Sequence, residues 1–267
     1  MSFMNKLPCA LCHEDKKLQD SHIIPNSVFR RIKNAGDGGS LILFDDNPDS
    51  LVRRSQDSWS EHLLCSSCEA VISNYEKTGL EVLRGVNPYR ISERSDGVVL
   101  GGHEHRLFKL FLISLLWRAA VSNLPQFAKV VLPLHCEQQA RTALLGEKPL
   151  HSRRLGCRIS RLTDPTPSDG GRFSPESLRQ LIVSPIPRLD DKLEHYSYLF
   201  ILEGYALELF VPNIPLRLSS HPGTYRDGTT FFVPFLSVFD IPELLALMVS
   251  AYGKNEQGKV TFKSKRR

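Results

Sequence analysis

The stretch CSSCEAVISNYEKTGLEVLRG, residues 65–85, joins a closely spaced cysteine pair to a helical pattern. Its apolar residues recur at helical spacing, at Val71, Ile72, Tyr75, Leu80 and Leu83. This spacing predicts a helix that begins at the cysteine pair and ends at Gly85, since glycine commonly terminates helices.

A second pair of the same spacing occurs in CALC, residues 9–12, so that four of the six cysteines form two CxxC pairs. Each pair can present two thiolates to one tetrahedral Zn²⁺, and four thiolates close its coordination shell. Reduced cysteines or two disulfides are the alternatives. Zinc is favoured because the first residues lack the apolar region of a secretory signal. The predicted zinc ligands are Cys9, Cys12, Cys65 and Cys68.

Composition and charge limit the class of protein. The 267 residues are 41% hydrophobic and 24% charged, which suits a soluble protein with one large core or two modest ones. The longest apolar stretch, LFKLFLISLLW, is shorter than the roughly 20 residues that span a bilayer. We therefore expect a cytoplasmic protein without a membrane partner. The positive excess lies mainly between residues 103 and 195, whereas residues 1–102 are slightly acidic.

The remaining pattern predicts an α+β fold with a second domain. Residues 87–102 read as a turn-rich linker, residues 103–123 as a buried helix, and residues 134–146 as another helix. Trp117 and Arg118 read as a core aromatic and a basic residue with a distant partner. Strand patterns follow, and Glu203-Gly204 predicts a hairpin turn between two of them. We predict a zinc module over residues 1–90, a helical and mainly antiparallel domain over 91–252, and a basic disordered tail over 253–267.

Three segments, CALC, DSHIIP and EHLLCSSCE, together resemble the zinc-containing HNH (ββα-metal) endonucleases over about residues 5–84. The resemblance implies a treble-clef or ββα module on a four-cysteine zinc site. In that family a strand histidine is the general base, and a neighbouring carboxylate and a helix histidine hold one divalent cation that stabilises developing charge on the phosphodiester. His22 matches the base.

The other positions of the family pattern differ in this chain. Ser21 stands where the family has its ligand aspartate, Ser60 where it has an asparagine, and Glu69 where it has the helix histidine. Glu69 is an oxygen donor suited to Mg²⁺ or Mn²⁺. The further candidates for the catalytic site are Asp20, Asp57 and His62.

The function implied by the resemblance is metal-dependent hydrolysis of nucleic-acid phosphodiester bonds, with DNA favoured over RNA and a role in an anti-phage or restriction-type system as one setting. The alternative is a catalytically inactive zinc module that binds nucleic acid or protein. A protein partner or a homodimer also stays open, with the edge of the hairpin over residues 197–211 as the docking surface.

One segment of the second domain is rich in arginine. Residues 141–188 contain nine Lys and Arg residues against four Asp and Glu residues. Basic residues among turns can follow a phosphate backbone, although a solvated surface gives the same pattern. The predicted nucleic-acid contacts are Arg153, Arg154, Arg158 and Arg161.

Overall fold

A computed structural model describes residues 7–34, 41–43, 52–55, 58–151, 153–167, 172–190, 195–226, 228–256 and 260–261. The first part of the chain contains short strands and two helices: β1 Leu7–Pro8, β2 Asp15–Lys16, β3 Leu18–His22, α1 Asn26–Asn34, β4 Leu41–Leu43, β5 Val52–Ser55, β6 Ser60–Cys65 and α2 Ser66–Arg84. β3 pairs antiparallel with β6, and α2 follows β6 directly. The region of the family resemblance, about residues 5–84, therefore contains two antiparallel strands followed by a helix.

The rest of the described chain forms a large sheet and its covering helices: β7 Arg90–Glu93, β8 Gly97–Gly101, α3 His105–Val121, α4 Leu134–Leu144, β9 Cys157–Thr163, α5 Pro175–Arg179, β10 Val183–Asp190, β11 His195–Leu202, β12 Tyr205–Val211, β13 Thr230–Ser237, α6 Pro242–Glu256 and β14 Val260–Thr261. The seven-stranded sheet has the order β10-β11-β12-β9-β13-β8-β7. Only the β9–β13 pairing within this sheet is parallel. The fold is mixed α+β, as the sequence predicts.

The helix after the second cysteine pair has the predicted limits. α2 ends at Arg84, and Gly85 has a φ of 65°, the left-handed conformation that glycine adopts without a steric cost. The amide of Gly85 donates to the Val82 carbonyl, and that of Val86 donates to the Glu81 carbonyl. These bonds satisfy carbonyls at the end of the helix.

The helix α3 is buried on nearly all sides, which agrees with its continuous apolar sequence. Twelve of its 17 residues are buried, including Trp117 and Arg118. It packs between α2 and one face of the seven-stranded sheet, and a single hydrophobic cluster contains residues of all three. A smaller cluster on the opposite face joins the sheet to α5 and α6.

Three segments differ from their predicted roles. Residues 87–102 contain the hairpin β7–β8, which joins the sheet through β8 and β13, so they are not only a linker. The β11–β12 hairpin turns at Glu203-Gly204 as predicted, but β10 and β9 cover its two edges. A docking surface on that hairpin edge is therefore excluded. Within residues 253–267, the structure describes the end of α6 and Val260–Thr261, which pair with β5. The boundaries of the three predicted domains stay predictions.

Candidate metal centre and adjacent histidine site

The four cysteines of the two CxxC pairs lie together. Cys9 and Cys12 lie in the loop between β1 and β2, Cys65 ends β6, and Cys68 lies in the first turn of α2. Their sulfur atoms all lie within 4.8 Å of one another. The Sγ atoms of Cys12 and Cys65 are 3.9 Å apart, close to the ~3.8 Å edge of a tetrahedron with metal–sulfur bonds of ~2.3 Å. The cluster is positioned to bind one metal ion.

The chemistry of these thiols also suits a cation. Burial raises the pKa of Cys65, but hydrogen bonds from the Ser67 hydroxyl and the Cys68 amide outweigh it and lower that pKa to about 6. Burial and the neighbouring sulfurs raise the pKa of Cys68. Four thiolates this close repel one another unless a cation neutralises them. Four sulfur donors leave no open position for substrate, so the arrangement suits a structural zinc ion.

His22 is the last residue of β3, ten residues after Cys12, and is half-buried. Its Nε2 atom lies 3.0 Å from the Ser58 hydroxyl, and its carbonyl oxygen accepts a hydrogen bond from the Arg118 guanidinium. Burial lowers the pKa of His22, although the charges of Asp20 and Glu76 oppose that shift. The imidazole is therefore mainly neutral at pH 7, the state in which histidine accepts a proton.

Ser21 and Glu69 face each other between β3 and α2. Ser21 is completely buried, and its Oγ atom accepts a 3.0 Å hydrogen bond from the Leu64 amide. Burial raises the pKa of the Glu69 carboxyl, and the nearby Ser21 hydroxyl partly offsets this by hydrogen bonding. Glu69 Oε1 is buried without a hydrogen-bond partner among the described residues. The two positions that differ from the family pattern are thus neighbours in space.

His22 and Glu69 share one electrostatic environment. Asp20, Glu76 and Arg118 all act on the pKa of both residues. Arg118 is 2% exposed and forms an ion pair with Glu76, which lies two helical turns after Glu69 on α2. The predicted base and the predicted metal ligand therefore lie within electrostatic range of the same three charges.

The other predicted catalytic residues lie around this group or outside the described chain. Asp20 is exposed on β3 and pairs in register with His62 on β6, which is also exposed. Asp20 and His22 share one strand face, and Ser21 points to the other. Asp57 lies outside the described residues.

The four predicted nucleic-acid contacts do not form one surface. Arg153 and Arg154 precede β9, with Arg153 exposed and Arg154 half-buried. Arg158 and Arg161 are an odd number of positions apart on β9, so their side chains point to opposite faces of the sheet. Arg158 pairs with Glu208 at 2.6 Å, and Arg161 lies over the Tyr205 ring.

Sequence reasoning missed Ser58 and Glu76 and did not connect Arg118 to the site. The available signal was Arg118 itself, because a charge inside an apolar helix requires a partner. The identity of that partner depends on how α2 packs on α3, and no local sequence pattern predicts this packing.

No helix in the part of the chain that the structure describes has the length and apolar character needed to cross a membrane. Comparisons of the chain with protein-family models, curated proteins and solved structures give no match.

Proposed function

We propose that the chain is an HNH-like endonuclease that hydrolyses nucleic-acid phosphodiester bonds. The observation that carries this proposal is the shared environment of His22 and Glu69, beside a four-cysteine cluster and on two antiparallel strands followed by a helix. This order of elements and ligands is the one that the family resemblance implies.

In this proposal Cys9, Cys12, Cys65 and Cys68 hold a structural Zn²⁺ that fixes the loop before β2 against the start of α2. The zinc takes no part in the reaction because four thiolates complete its shell. Its role is to hold β6 and α2 in place, and through them the positions of Glu69 and the β3 strand.

His22 accepts the proton of the attacking water, because burial keeps its imidazole neutral. Ser58 orients the ring through its contact with Nε2. Glu69, beside the Ser21 hydroxyl, would hold Mg²⁺ or Mn²⁺ through its carboxylate oxygens. When bound, that ion supplies positive charge for the leaving oxygen.

A specific observation favours a second candidate, a catalytically inactive zinc module that binds nucleic acid or protein. Arg118 already places a buried positive charge near Glu69 and Glu76. A fixed guanidinium can offset the negative charge of these carboxylates without a metal ion. The strand and zinc cluster would then be retained as a scaffold.

A cleavage assay distinguishes the endonuclease from the inactive module. Purified protein is incubated with supercoiled plasmid, single-stranded DNA and structured RNA in the presence of Mg²⁺, Mn²⁺ or a chelator. The variants are His22→Ala and Glu69→Gln, with the exposed His151→Ala as the matched control. We expect metal-dependent cleavage that falls at least about 100-fold in both site variants, the lower end expected for loss of a general base. The control should retain wild-type cleavage.

Zinc content and the thermal unfolding midpoint are measured in every variant, so that loss of activity is separated from loss of fold. Absence of cleavage in every metal, or cleavage that survives His22→Ala in a zinc-loaded protein, overturns the nuclease proposal. Salt-dependent DNA binding without cleavage then favours the inactive module.

A further inference from the structure

Four arginines and one glutamate surround a small cavity between the first part of the chain and the seven-stranded sheet. The cavity, here called the arginine cavity, has a volume of about 160 Å³. Its charged lining residues are Arg31, Arg84, Arg161, Arg179 and Glu203. The other two lining side chains are aliphatic. This volume is several times the ~10–15 Å³ that one water molecule requires, so a group of several heavy atoms fits.

Glu203 forms ion pairs with two of the four arginines. Its side chain is 1% exposed and accepts hydrogen bonds from Arg31 at 2.7 Å and from Arg84 at 2.6 Å. These contacts join α1 and the end of α2 to the turn between β11 and β12. They explain why Glu203 is buried, because a buried carboxylate requires paired donors.

The other two arginines have a different placement. Arg161 lies with its guanidinium carbon 4.5 Å from the centre of the Tyr205 ring, a cation–π contact. Arg179 packs against Gly204, where a β-carbon would lie 3.2 Å from Arg179 Cγ. Its ion pair is with Glu176, which is 69% exposed and contributes little. Both guanidiniums are therefore positioned at the cavity by contacts other than Glu203.

The charges of the cavity do not balance. Four guanidinium charges line the cavity with the single carboxylate of Glu203, and Glu176 outside the lining pairs with Arg179, so two positive charges stay in excess (4 − 2 = 2). Arg84 Nε is also buried without a hydrogen-bond partner among the described residues. The side chains of Arg31, Arg84 and Arg179 are 40%, 23% and 33% exposed, so a ligand can reach them from solvent. An acceptor-rich anion would satisfy the buried Arg84 Nε donor and offset the excess charge.

We propose that the arginine cavity binds a tetrahedral oxyanion, namely a phosphate group present as free phosphate or as a phosphomonoester. Arginine is suited to this ligand because its planar donors bind phosphate oxygens in pairs. A cation is excluded by the charge, and a large apolar ligand by the volume. The inference does not depend on hydrolysis at His22.

Binding of inorganic phosphate to the full chain is measured by calorimetry and by thermal unfolding, with chloride at equal ionic strength as the reference. A short oligonucleotide with a 5′-phosphate, compared with its 5′-hydroxyl form, tests the phosphomonoester. The variants are Arg161→Gln and Arg179→Gln, which leave the Glu203 contacts in place. Arg90→Gln is the charge-matched control, because Arg90 is exposed on β7.

We expect saturable phosphate binding that weakens at least about tenfold in each cavity variant, as for loss of a charge-assisted hydrogen bond, and is unchanged in Arg90→Gln. Glu203→Gln should bind phosphate more tightly, because one competing negative charge is removed. Tighter binding of the 5′-phosphate form than of the 5′-hydroxyl form identifies a phosphomonoester ligand, and binding of inorganic phosphate alone identifies the free anion.

Two results overturn the proposal. One is a folded protein whose binding heat and unfolding temperature respond to phosphate and to the 5′-phosphate oligonucleotide no more than they respond to chloride. The other is equal phosphate affinity in the wild type and an Arg161→Gln/Arg179→Gln double variant. Both readouts are independent of cleavage, so they distinguish failure of this site from failure of the nuclease.

Discussion

Arg118 links the buried helix α3 to the histidine site. Its Nε atom donates to the Ser114 carbonyl at 3.2 Å, and its Nη1 atom donates to the His22 carbonyl and pairs with Glu76. The side chain is 2% exposed, so water does not compete for these contacts in the folded protein. Arg118 is therefore a structural residue of the site as well as a source of charge.

We predict that Arg118→Met lowers the free energy of unfolding by about 1–3 kcal/mol, because it leaves the Glu76 carboxylate, whose side chain is only 18% exposed, without its partner. Urea denaturation measures the change. The Arg118→Met/Glu76→Gln double variant should recover part of the loss, since no unpaired charge remains. A loss below about 1 kcal/mol in the single variant contradicts the assigned pair.

His103 is an unusual buried residue. It is 2% exposed, and neither ring nitrogen has a hydrogen-bond partner among the described residues. Phe108 and Tyr225 pack on its ring at centroid distances of 5.5 and 6.0 Å. Burial, and secondarily the charge of His105, lower the pKa of His103.

The lowered pKa predicts a stability change with pH. An unfolded histidine takes up a proton near pH 6.5 and the folded one only at lower pH, so the free energy of unfolding falls as pH drops below about 6.5. His103→Phe removes this contribution of up to about 1.4 kcal/mol per pH unit. Urea denaturation between pH 5 and 7.5 measures it. Parallel pH profiles for wild type and variant would show that His103 does not contribute.

At the scale of elements, Gly79 sets how closely α2 and α3 approach. A β-carbon at this position would lie 2.0 Å from the Phe111 ring, far inside van der Waals contact. The glycine is in the middle of a 19-residue helix, where it is intrinsically unfavourable by about 1 kcal/mol relative to alanine. Close packing against α3 explains its presence.

Gly79→Ala should therefore destabilise the protein by about 1–3 kcal/mol despite the better helix propensity of alanine, since overpacking forces side chains out of position. Thermal unfolding measures the change. Ser73→Ala, at an exposed position of the same helix, is the control and should be neutral or slightly stabilising. A stabilised Gly79→Ala variant would contradict the close contact.

The elements that could be predicted from sequence are those with strong local signals. The apolar spacing and Gly85 define α2, and Glu203-Gly204 defines the β11–β12 turn, where both residues have positive φ. The segment that forms the β7–β8 hairpin reads as a linker in the sequence because RISERSDG is mostly polar. Its pairing depends on β13, which lies more than 100 residues later.

The same limit applies to the candidate site. The spacing of the cysteines indicates their cluster, because each CxxC pair is local and thiols with this spacing have few other uses. The contact between Arg118 and Glu76 joins two helices, and the arginine cavity joins five separate elements and a turn. Neither has a local signature, so only the three-dimensional arrangement reveals them.

At the scale of the whole molecule, one hydrophobic cluster contains residues on both sides of position 90. Ile72 and Leu83 of α2 are 1% exposed, and the Tyr75 hydroxyl donates to the Leu144 carbonyl of α4 at 3.0 Å. We predict that residues 1–90 expressed alone with zinc do not form a stable fold, because these side chains lose their partners. Circular dichroism and amide exchange test this. A cooperatively folded fragment would show that the module is independent.

Metal removal should also affect the whole molecule. We expect one zinc ion per chain by elemental analysis, and a single thermal transition that moves to lower temperature when a chelator removes the ion, because the cysteine cluster borders the shared core. Cys65→Ser should abolish stoichiometric zinc. Two separate transitions, with only one sensitive to chelator, would contradict a shared core.

The Glu203 contacts also constrain synthesis on the ribosome. Glu203 follows Arg84 by 119 residues and Arg31 by 172. At about 5–20 residues per second, Arg84 leaves the ribosome roughly 6–24 s before Glu203 does. During that interval α3 is made and can cover α2, but most of the seven-stranded sheet and the Glu203 carboxylate that pairs with Arg31 and Arg84 are still missing. The apolar residues of α3 that pack toward the sheet therefore stay exposed on the nascent chain until the later strands emerge. This is the stage at which the chain exposes most apolar surface to chaperones.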